Sequence, residues 1–504
     1  MISSISKILP VILCLFLISD SLKAEKRFFE VNENTKFSIG GDYQVYFQES
    51  SRFEYDSDGR DFLLQSSNHR LLLAPELKYT DGDYKWTFFS ELYVLRENIS
   101  GNNVSGSVYN DSDSGKAKLS SAGALLVGPW FIAQGGLVKN HVGAGLLANS
   151  GNKKSKFDYG YDTRGDSALR GLFAVSPGLL LGSDEWWRGI FIGGGYDKIV
   201  DDELVERLPG GKAQSLNMVL TLRDGEGHDV TLGYVERNIE DEDNHSLLIK
   251  AFDLSWYLEF PIDGEGSSII ETKGELIKTD GKGDLINNLG GINEMKINQF
   301  AAFIDVGLKS PEDENYLKYG LSFMLASGDK NPYDDFLSSF RGDPDFSFGM
   351  LFMPIINQEM LYAEKMQARD PNISNVPVRG SNLLDPMGGV TNVIALRPYI
   401  EYQYQKGFFT SFGLILASLD QPFNAPFEQV KTGANANFLG HITNSRDLGL
   451  EADLLLGYEA DISAMNLIFR VGSAYFWPGD SLKRADGTSM GNQSMWQADL
   501  TLEF

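Results

Sequence analysis

The chain has 504 residues, a formal net charge of −25, 53 glycines and 12% aromatic residues. So acidic a protein repels nucleic acid and favours cations and neutral or basic solutes, although Asp and Glu in exposed loops could equally serve solubility alone. Abundant glycine and aromatic residues suit a fold with many turns and with aromatic side chains at a membrane interface. Because of the negative charge, we expect no nucleic-acid partner.

Residues 1–24 have the pattern of a secretory signal peptide. A lysine precedes an apolar run at 8–18, and cleavage is expected after Ala24. The run is too short to cross a membrane as a helix, and no later run approaches about 18 apolar residues. Residues 25–504 are therefore predicted to be one exported domain, which can span a membrane only as a β-barrel. Cys14, the only cysteine, lies in the apolar run, so the mature domain has no disulfide and no thiolate metal site.

The first predicted strand, residues 35–48, alternates apolar and polar side chains with a period of two. Phe37, Ile39 and Tyr43 share one face, while Ser38 and Asp42 share the other. The same pattern predicts eighteen strands, at residues 35–48, 69–79, 84–97, 117–127, 130–138, 167–176, 187–198, 213–222, 228–237, 246–260, 267–279, 296–309, 316–327, 394–405, 408–419, 447–461, 464–477 and 495–504.

The connections between these strands alternate in length. Tight turns such as 80–83 and 406–407 lie on the side of both termini, and long polar loops such as 98–116 and 139–166 lie on the other side. Outer-membrane barrels show this division, whereas a β-sandwich or a propeller has no reason to sort its loops by length. The sequence predicts an all-β fold, a single transmembrane antiparallel up-and-down β-barrel of about 18 strands.

The last predicted strand ends the chain on an aromatic residue. Trp496, Leu500 and Phe504 point one way, and Asp499 and Glu503 point the other. This ending resembles bacterial outer-membrane barrels, many of which finish on a C-terminal Phe in an alternating strand. The resemblance implies the bacterial outer membrane as the location, with its lipid bilayer and the outer-membrane assembly machinery as partners.

The polar face of the strands carries charges of both signs, which predicts a water-filled lumen. On strand 246–260, Leu254 and Trp256 are expected to face lipid, while Asp253 and Ser255 face inward. The same parity gives six candidate pore-lining residues: Arg397, Glu401, Arg470, Glu271, Lys273 and Asp453. The alternative for any one of them is a salt bridge that holds the inner surface of the wall together.

Residues 328–393 form a connection far longer than an ordinary loop, so this segment is either functional or disordered. Its charged start holds four candidates for a pore constriction: Asp329, Arg341, Asp343 and Asp345. An apolar stretch at 350–356 and a helix-prone run at 357–369 follow, and such apolar content is not expected in a loop surrounded by water. We expect the segment to fold over or into the barrel mouth, as a constriction or a lid.

Three short motifs resemble the alginate-export type of outer-membrane barrel and its porin-like relatives. They are A-S-G-D at 326–329, G-G-V-T-N at 388–392 ahead of an L-R-P-Y strand, and the glycine-rich stretch at 136–149. The resemblance implies an eighteen-stranded barrel that passes an elongated polar or anionic solute. Alginate exporters have an arginine-rich lumen, whereas the inward residues here include more carboxylates than arginines, which speaks against alginate itself.

Catalytic chemistry has little support in the sequence. The five histidines are scattered, and none has a metal-ligand spacing with another. His141 with Ser150 or Ser155 could form a hydrolytic pair at the rim, but a polar loop residue is the simpler interpretation.

Two aspartate-rich loops resemble the first half of a calcium-binding loop but lack its bidentate Glu. They contain Asp56, Asp58, Gly59 and Asp61, and Asp111 and Asp113. Solvated acidic side chains are the simpler interpretation of both. The sequence thus predicts no catalytic residue, no metal site and no cofactor.

The resulting prediction is an outer-membrane channel for passive diffusion of small polar or charged solutes, and not an enzyme. Three alternatives share the barrel. One is an exporter of a polysaccharide, one is a barrel enzyme, and one is a structural barrel with a closed lumen.

Overall fold

Alternation with a period of two folds this chain into a closed antiparallel barrel. In the computed structural model the wall consists of β1 (Thr35–Ser50), β2 (Gln65–Asp81), β3 (Tyr84–Asn102), β4 (Lys118–Val127), β5 (Phe131–Lys139), β6 (Ser167–Val175), β7 (Ile190–Asp201), β8 (Lys212–Arg223), β9 (Asp229–Glu240), β10 (Ser246–Pro261), β11 (Ile269–Gly283), β12 (Met295–Lys309), β13 (Asn315–Ala326), β14 (Val393–Tyr404), β15 (Phe408–Leu419), β16 (Asp447–Ile462), β17 (Met465–Pro478) and β18 (Gln493–Glu503).

Each wall strand pairs with its neighbours in the chain, and β18 pairs with β1 to close the sheet. The sheet also includes two short strands, Phe29–Asn32 beside β1 and Phe336–Leu337 beside β12. The predicted eighteen-stranded up-and-down barrel is confirmed. Individual ends differ by a few residues; for example, residues 186–189, partly predicted as strand, form a 3-10 helix, Trp186–Gly189.

The structure describes residues 29–103, 115–151, 155–159, 165–182, 186–201, 210–224, 228–262, 268–285, 294–310, 315–331, 334–369, 389–405, 407–425, 428, 433–442, 445–462 and 465–504. The expected signal peptide, residues 1–24, lies outside these residues, as do Asp111 and Asp113. Elements outside the wall include the hairpin Phe53–Glu54 and Asp61–Phe62 and the helices Pro177–Leu180, α1 (Gln358–Arg369) and Asp480–Leu482. Within the described ranges, no helix is long and apolar enough to span a membrane.

The two faces of the wall differ as the parity of the strands predicts. On β10, the Leu254 side chain is 36% exposed on the outer face, whereas the neighbouring Asp253 is 1% exposed on the inner face. Large apolar side chains are exposed on the outer face of many other strands, among them Leu232, Leu321 and Phe469. Because strand neighbours directly opposite each other share a face, this alternation extends around the barrel. The outer face suits lipid, and the inner face is polar at most levels.

The loops also segregate as predicted. Short turns at 82–83, between β2 and β3, and at 128–130, between β4 and β5, lie on the side of the N- and C-terminal strand ends. The strand ends that border the long connections after β5 and after β13 lie on the other side. In outer-membrane barrels the short turns face the periplasm and the long loops face outward.

Barrel closure depends on a close approach between β1 and the chain terminus. The Gly41 N–H donates to the Phe504 carbonyl at 2.9 Å, and the Phe504 N–H donates to the Gly41 carbonyl at 3.0 Å. A Cβ at position 41 would lie 2.2 Å from the Leu72 carbonyl oxygen and 3.0 Å from the Phe504 ring. The seam therefore requires glycine there.

We predict that Gly41→Val impairs closure, because overpacking against backbone costs about 1–3 kcal/mol. The fraction of folded barrel, measured by its faster migration in unheated SDS gels, should fall relative to the wild type. Ile39→Val, on the exposed outer face of the same strand, is the control and should leave the folded fraction unchanged. Equal folded fractions for Gly41→Val and the control would contradict this account of the seam.

Candidate functional site: a lumen with a packed half and an open half

The segment between β13 and β14 folds back into the barrel. Its apolar stretch passes through a π-helical turn, Phe352–Asn357, into α1. The ring of Phe352 lies 5.0 Å from that of Phe476 on β17, and the ring of Phe346 lies 5.4 Å from that of Phe303 on β12. The segment thereby fills one side of the lumen, here called the packed half, against the inward wall residues Phe303, Ala395, Phe409, Ile415, Leu455 and Phe476.

A wall carboxylate holds this segment in place. The Glu451 carboxylate, on β16, accepts hydrogen bonds from three successive backbone N–H groups, those of Met350 at 2.8 Å, Leu351 at 2.9 Å and Phe352 at 2.8 Å. These amides are buried among apolar side chains, where an unpaired N–H is costly. Glu451 therefore supplies the hydrogen-bond acceptor for the three backbone N–H groups at the start of the π-helical turn.

A second wall carboxylate holds the loop between β5 and β6 in the same way. Glu275 on β11 accepts from the backbone N–H groups of Leu146 at 3.0 Å and Leu147 at 3.1 Å. The two inserted segments also contact each other, because Asp343 accepts from the Asn149 N–H at 2.7 Å. Two loops distant in sequence thus meet inside the lumen, each anchored to the wall by a glutamate.

The lumen beside β6 to β12 is open. A cavity of about 730 Å³, here called the open half, lies between the two inserted loops and the wall from β6 to β12. Ile199, Leu247 and Ile297, at the long-loop ends of their strands, line it. Other lining residues, Arg223, Asp229 and Tyr257, lie at the turn ends of their strands. The cavity therefore reaches from one end of the wall to the other.

The open half is apolar near the long loops and polar below. Ile199, Leu247 and Ile297 pack near Leu337 of the inserted segment, in a small apolar cluster. Lower down, Arg170 donates to Asp197 at 2.6 Å, and Asn217 donates to the same carboxylate at 2.8 Å. This chemistry can contact a solute by hydrogen bonds and by charge.

The structure places the six predicted pore-lining residues inside the barrel, outside the described lining of the open half. The Arg397 guanidinium lies over the rings of Tyr159 and Tyr399, at 4.7 and 5.1 Å from their centroids. Arg470 donates to both oxygens of Asp499 at 2.9 and 3.0 Å.

The other four predicted residues lie on three strands, Glu271 and Lys273 on β11, Glu401 on β14 and Asp453 on β16. Glu271 accepts from the Lys318 ammonium at 2.8 Å, and Lys273 follows two residues later on the same face of β11. Glu401 accepts from the Tyr316 hydroxyl at 3.3 Å. Asp453 is fully buried two residues after Glu451. Their contribution to a solute path stays a prediction.

The four predicted constriction residues divide into two groups. Arg341 and Asp343 line the open half, where the inserted segment borders it. Asp329 instead accepts from the Asn331 N–H at 2.9 Å at the start of the segment, and burial raises its pKa above the usual range. The Asp345 N–H donates to Asp343 at 2.9 Å, which orders the turn below the cavity border. In the packed half, beside Arg397, burial raises the pKa of the loop residue Tyr159 to about 12.

The loop residues considered for catalysis and calcium have other contacts. The His141 Nδ1 accepts from the backbone N–H of Ser150 at 3.3 Å, so the contact does not involve the Ser150 hydroxyl. Asp56 accepts from the N–H groups of Asp58 at 3.1 Å and Arg60 at 3.0 Å, and it also pairs with the Arg60 guanidinium at 2.5 Å. These contacts stabilise the loops themselves.

One group that could hold a metal ion was missed by the sequence analysis. Asp241, Asp243 and His245 lie in the tight loop between β9 and β10, with one ligand atom from each within 4.8 Å of the others. Burial opposes ionisation of Asp241, but hydrogen bonds from the amide and ring of His245 outweigh it and lower the pKa of Asp241. The sequence signal for this group is two aspartates and one histidine at alternate positions. A search for pairs of histidines does not detect it.

Comparison with known proteins gives structural likeness alone. Neither a model of a known protein family nor a curated protein sequence matches the chain. Among solved structures, the chain is similar to three Pseudomonas aeruginosa proteins. It matches OccK11 (OpdR) at 12% identity with a TM-score of 0.47, covering 95% of this chain and 97% of that chain. It matches OpdK with vanillate at 11% identity with a TM-score of 0.48, covering 95% and 99% of the two chains, and the outer membrane protein OprD at 11% identity with a TM-score of 0.44, covering 96% of each chain. At these values, nothing about the solute of this chain follows from them.

We predict that Glu451→Ala loosens the inserted segment. The substitution leaves three buried N–H groups without their acceptor, at about 1–3 kcal/mol for each unsatisfied group. Hydrogen–deuterium exchange at Met350, Leu351 and Phe352 should therefore accelerate by about tenfold or more. Glu236→Ala, on the exposed outer face, is the matched control and should leave this exchange unchanged. Unchanged exchange in Glu451→Ala would show that the carboxylate does not hold the segment.

Proposed function

We propose that the chain is a bacterial outer-membrane channel through which small polar or charged solutes diffuse passively. The observation that carries this proposal is the cavity of about 730 Å³ that reaches from the long-loop ends to the turn ends of the wall strands. An apolar outer face and a polar inner face support a barrel that stands in lipid and encloses water. The solute gradient supplies the driving force for such a channel.

The two inserted loops set the width of the proposed path. The Glu275 anchor brings the loop after β5 to the cavity, and Arg341 and Asp343 bring the border of the long segment to it. A charged pair at the narrow part of a lumen selects by size and charge together. We assign the constriction to Arg341 and Asp343, with Asp329 and Asp345 ordering the segment on either side of them.

The six predicted pore-lining residues take a supporting part in this proposal. Arg470 on β17 forms an ion pair with Asp499 on the neighbouring β18, and Glu271 on β11 forms one with Lys318 on β13, across β12. Such pairs stiffen the wall around the inserted segment and shape the field in the lumen. Arg397, Glu401, Lys273 and Asp453 contribute to the same field.

The alternatives from the sequence analysis find less support. A polysaccharide exporter requires a wide, continuous track, whereas two inserted loops narrow this lumen. With no matching family model, the resemblance to alginate-export barrels rests on short motifs alone. The described contacts of His141 lend no support to a hydrolytic pair. A structural barrel would need a closed lumen, which the open half argues against.

Location in the outer membrane also implies processing and assembly steps. We infer that residues 1–24 direct export and are removed, and that the terminal strand ending in Phe504 presents the chain to the outer-membrane assembly machinery. The partners of the mature protein are then the lipid bilayer and the solute.

We predict that Gly233→Trp blocks the channel. Gly233 faces the cavity from β9, and a Cβ there would make only ordinary contact, 3.6 Å from the Asp253 Cβ, so the new side chain extends into the open half. Single-channel conductance in a planar lipid bilayer should fall by roughly half or more, because the obstruction narrows the path.

Gly171→Trp is the control for this substitution. Gly171 lies on β6, and a Cβ there meets no atom within 4 Å. Its outward position keeps the indole ring in lipid, so conductance should stay at the wild-type value. No conductance from folded wild-type protein would contradict the proposed function, and equal conductance of the two variants would contradict the path through the open half.

A further inference from the structure

The outer face of the barrel has a charged belt at one end of β7 to β12. Below it, the outward side chains are apolar, as with Leu254 and Leu308. At the long-loop end, six lysines occupy outward strand positions: Lys198, Lys212, Lys250, Lys278, Lys282 and Lys296. The change from apolar to charged marks the upper boundary of the lipid-facing band.

Cross-strand register fixes the height of these lysines. Lys278 on β11 stands directly between Phe252 and Phe300, whose side chains are 51% and 40% exposed. Lys278 therefore lies at the level of the last aromatic residues of the apolar band. Further toward the long loops, Lys282 stands directly opposite Lys296 on β12. The ammonium groups thus begin where the hydrocarbon ends, at the level of lipid head groups.

The charge on this face reverses that of the whole protein. The chain has a net charge of −25, yet the outward strand positions of β7 to β12 hold six lysines against three carboxylates, Glu236, Glu240 and Asp280. Two more carboxylates at the rim, Glu294 and Asp335, lie beside Lys282 and Lys296, so lysines still outnumber the described carboxylates by six to five. The lysine side chains stay accessible despite pairing: Lys250 is 45% exposed beside Glu236 at 3.5 Å, and Lys282 is 69% exposed. The belt is therefore a row of exposed ammonium groups that an anionic partner can reach.

The opposite side of the barrel has no such belt. Outward positions of β14 to β18 carry no Lys, Arg, Asp or Glu in the part of the wall that the structure describes, apart from the strand-end residue Asp447. Leu416 and Trp477 continue the apolar face toward the long loops there. A belt that served only to keep the strand ends in water would be expected all around the rim.

We propose that the belt of β7 to β12 binds the phosphate groups of a phosphorylated glycolipid in the outer leaflet. The proposal rests on the proposed outer-membrane location, which places the long-loop side outward. Charge complementarity identifies the partner, since ammonium groups at head-group depth attract anionic head groups. The aromatic and aliphatic side chains below the belt contact the acyl chains of the same lipid molecules.

The test uses purified full-length protein in detergent, with diphosphoryl lipid A as the probe and native mass spectrometry as the readout. Lys250→Gln, Lys282→Gln and Lys296→Gln together should weaken lipid A binding by about tenfold or more, given the contribution of each lysine near a charged lipid surface. Replacing the same three residues with Arg should preserve binding. Dephosphorylated lipid A should bind the wild type as weakly as the diphosphoryl form binds the Gln variant.

The matched control removes three lysines at the other end of the barrel. Lys36, Lys78 and Lys85 lie beside the turn between β2 and β3, near the short-turn side. Changing all three to Gln alters the net charge equally and should leave lipid A binding at the wild-type level. Equal binding by wild type and belt variant, or equal binding of the two lipid A forms, would overturn the proposal.

The conductance of the belt variant separates this proposal from the channel function. Loss of lipid A binding with unchanged conductance supports the belt and leaves the channel intact. Binding that depends on the belt, in a protein without conductance, would uphold the belt and contradict the channel.

Discussion

Backbone pairing is the constraint on which the whole structure depends. A barrel wall surrounded by lipid must pair every N–H and C=O with a neighbouring strand, which requires the sheet to close. The seam of Gly41 and Phe504 satisfies this requirement at the chain terminus. The same constraint applies inside, where any loop that enters the lumen must find partners for its own backbone.

Two wall glutamates meet that second requirement. Glu451 pairs three amides of the long segment, and Glu275 pairs two amides of the loop after β5. Because both are anchored at defined places, the loops fill one side of the lumen and leave the other open. The position of the open half is thus a consequence of where two carboxylates lie on the wall.

Charged side chains are arranged differently on the inner and outer faces of the barrel. Inside, arginine and aspartate are paired across neighbouring strands, as with Arg170 and Asp197, which keeps polar groups satisfied beside water. Outside, lysines such as Lys278 appear where the apolar band ends. A strand that faces water on one side and lipid on the other can carry both patterns, because its side chains alternate.

The wall could be predicted from the sequence because its signal is local. Alternation within each strand identified all eighteen strands and the inward direction of Asp253. The division of the lumen could not be predicted, because it depends on contacts between residues about a hundred positions apart, such as Glu451 with Met350. The alternation within each strand predicts that Arg397 and Asp453 face inward. It does not predict on which side of the lumen the inserted segment packs.

Thiol accessibility tests the division of the lumen most directly. Cys14 is the only cysteine of the chain, so single cysteines can be introduced into the wall as unique probes. Thr231→Cys and Val235→Cys, in the open half, should react with a membrane-impermeant thiol reagent, whereas Ser411→Cys and Ala395→Cys, buried in the packed half, should not. Fast labelling at 411 and 395 with none at 231 and 235 would contradict the account.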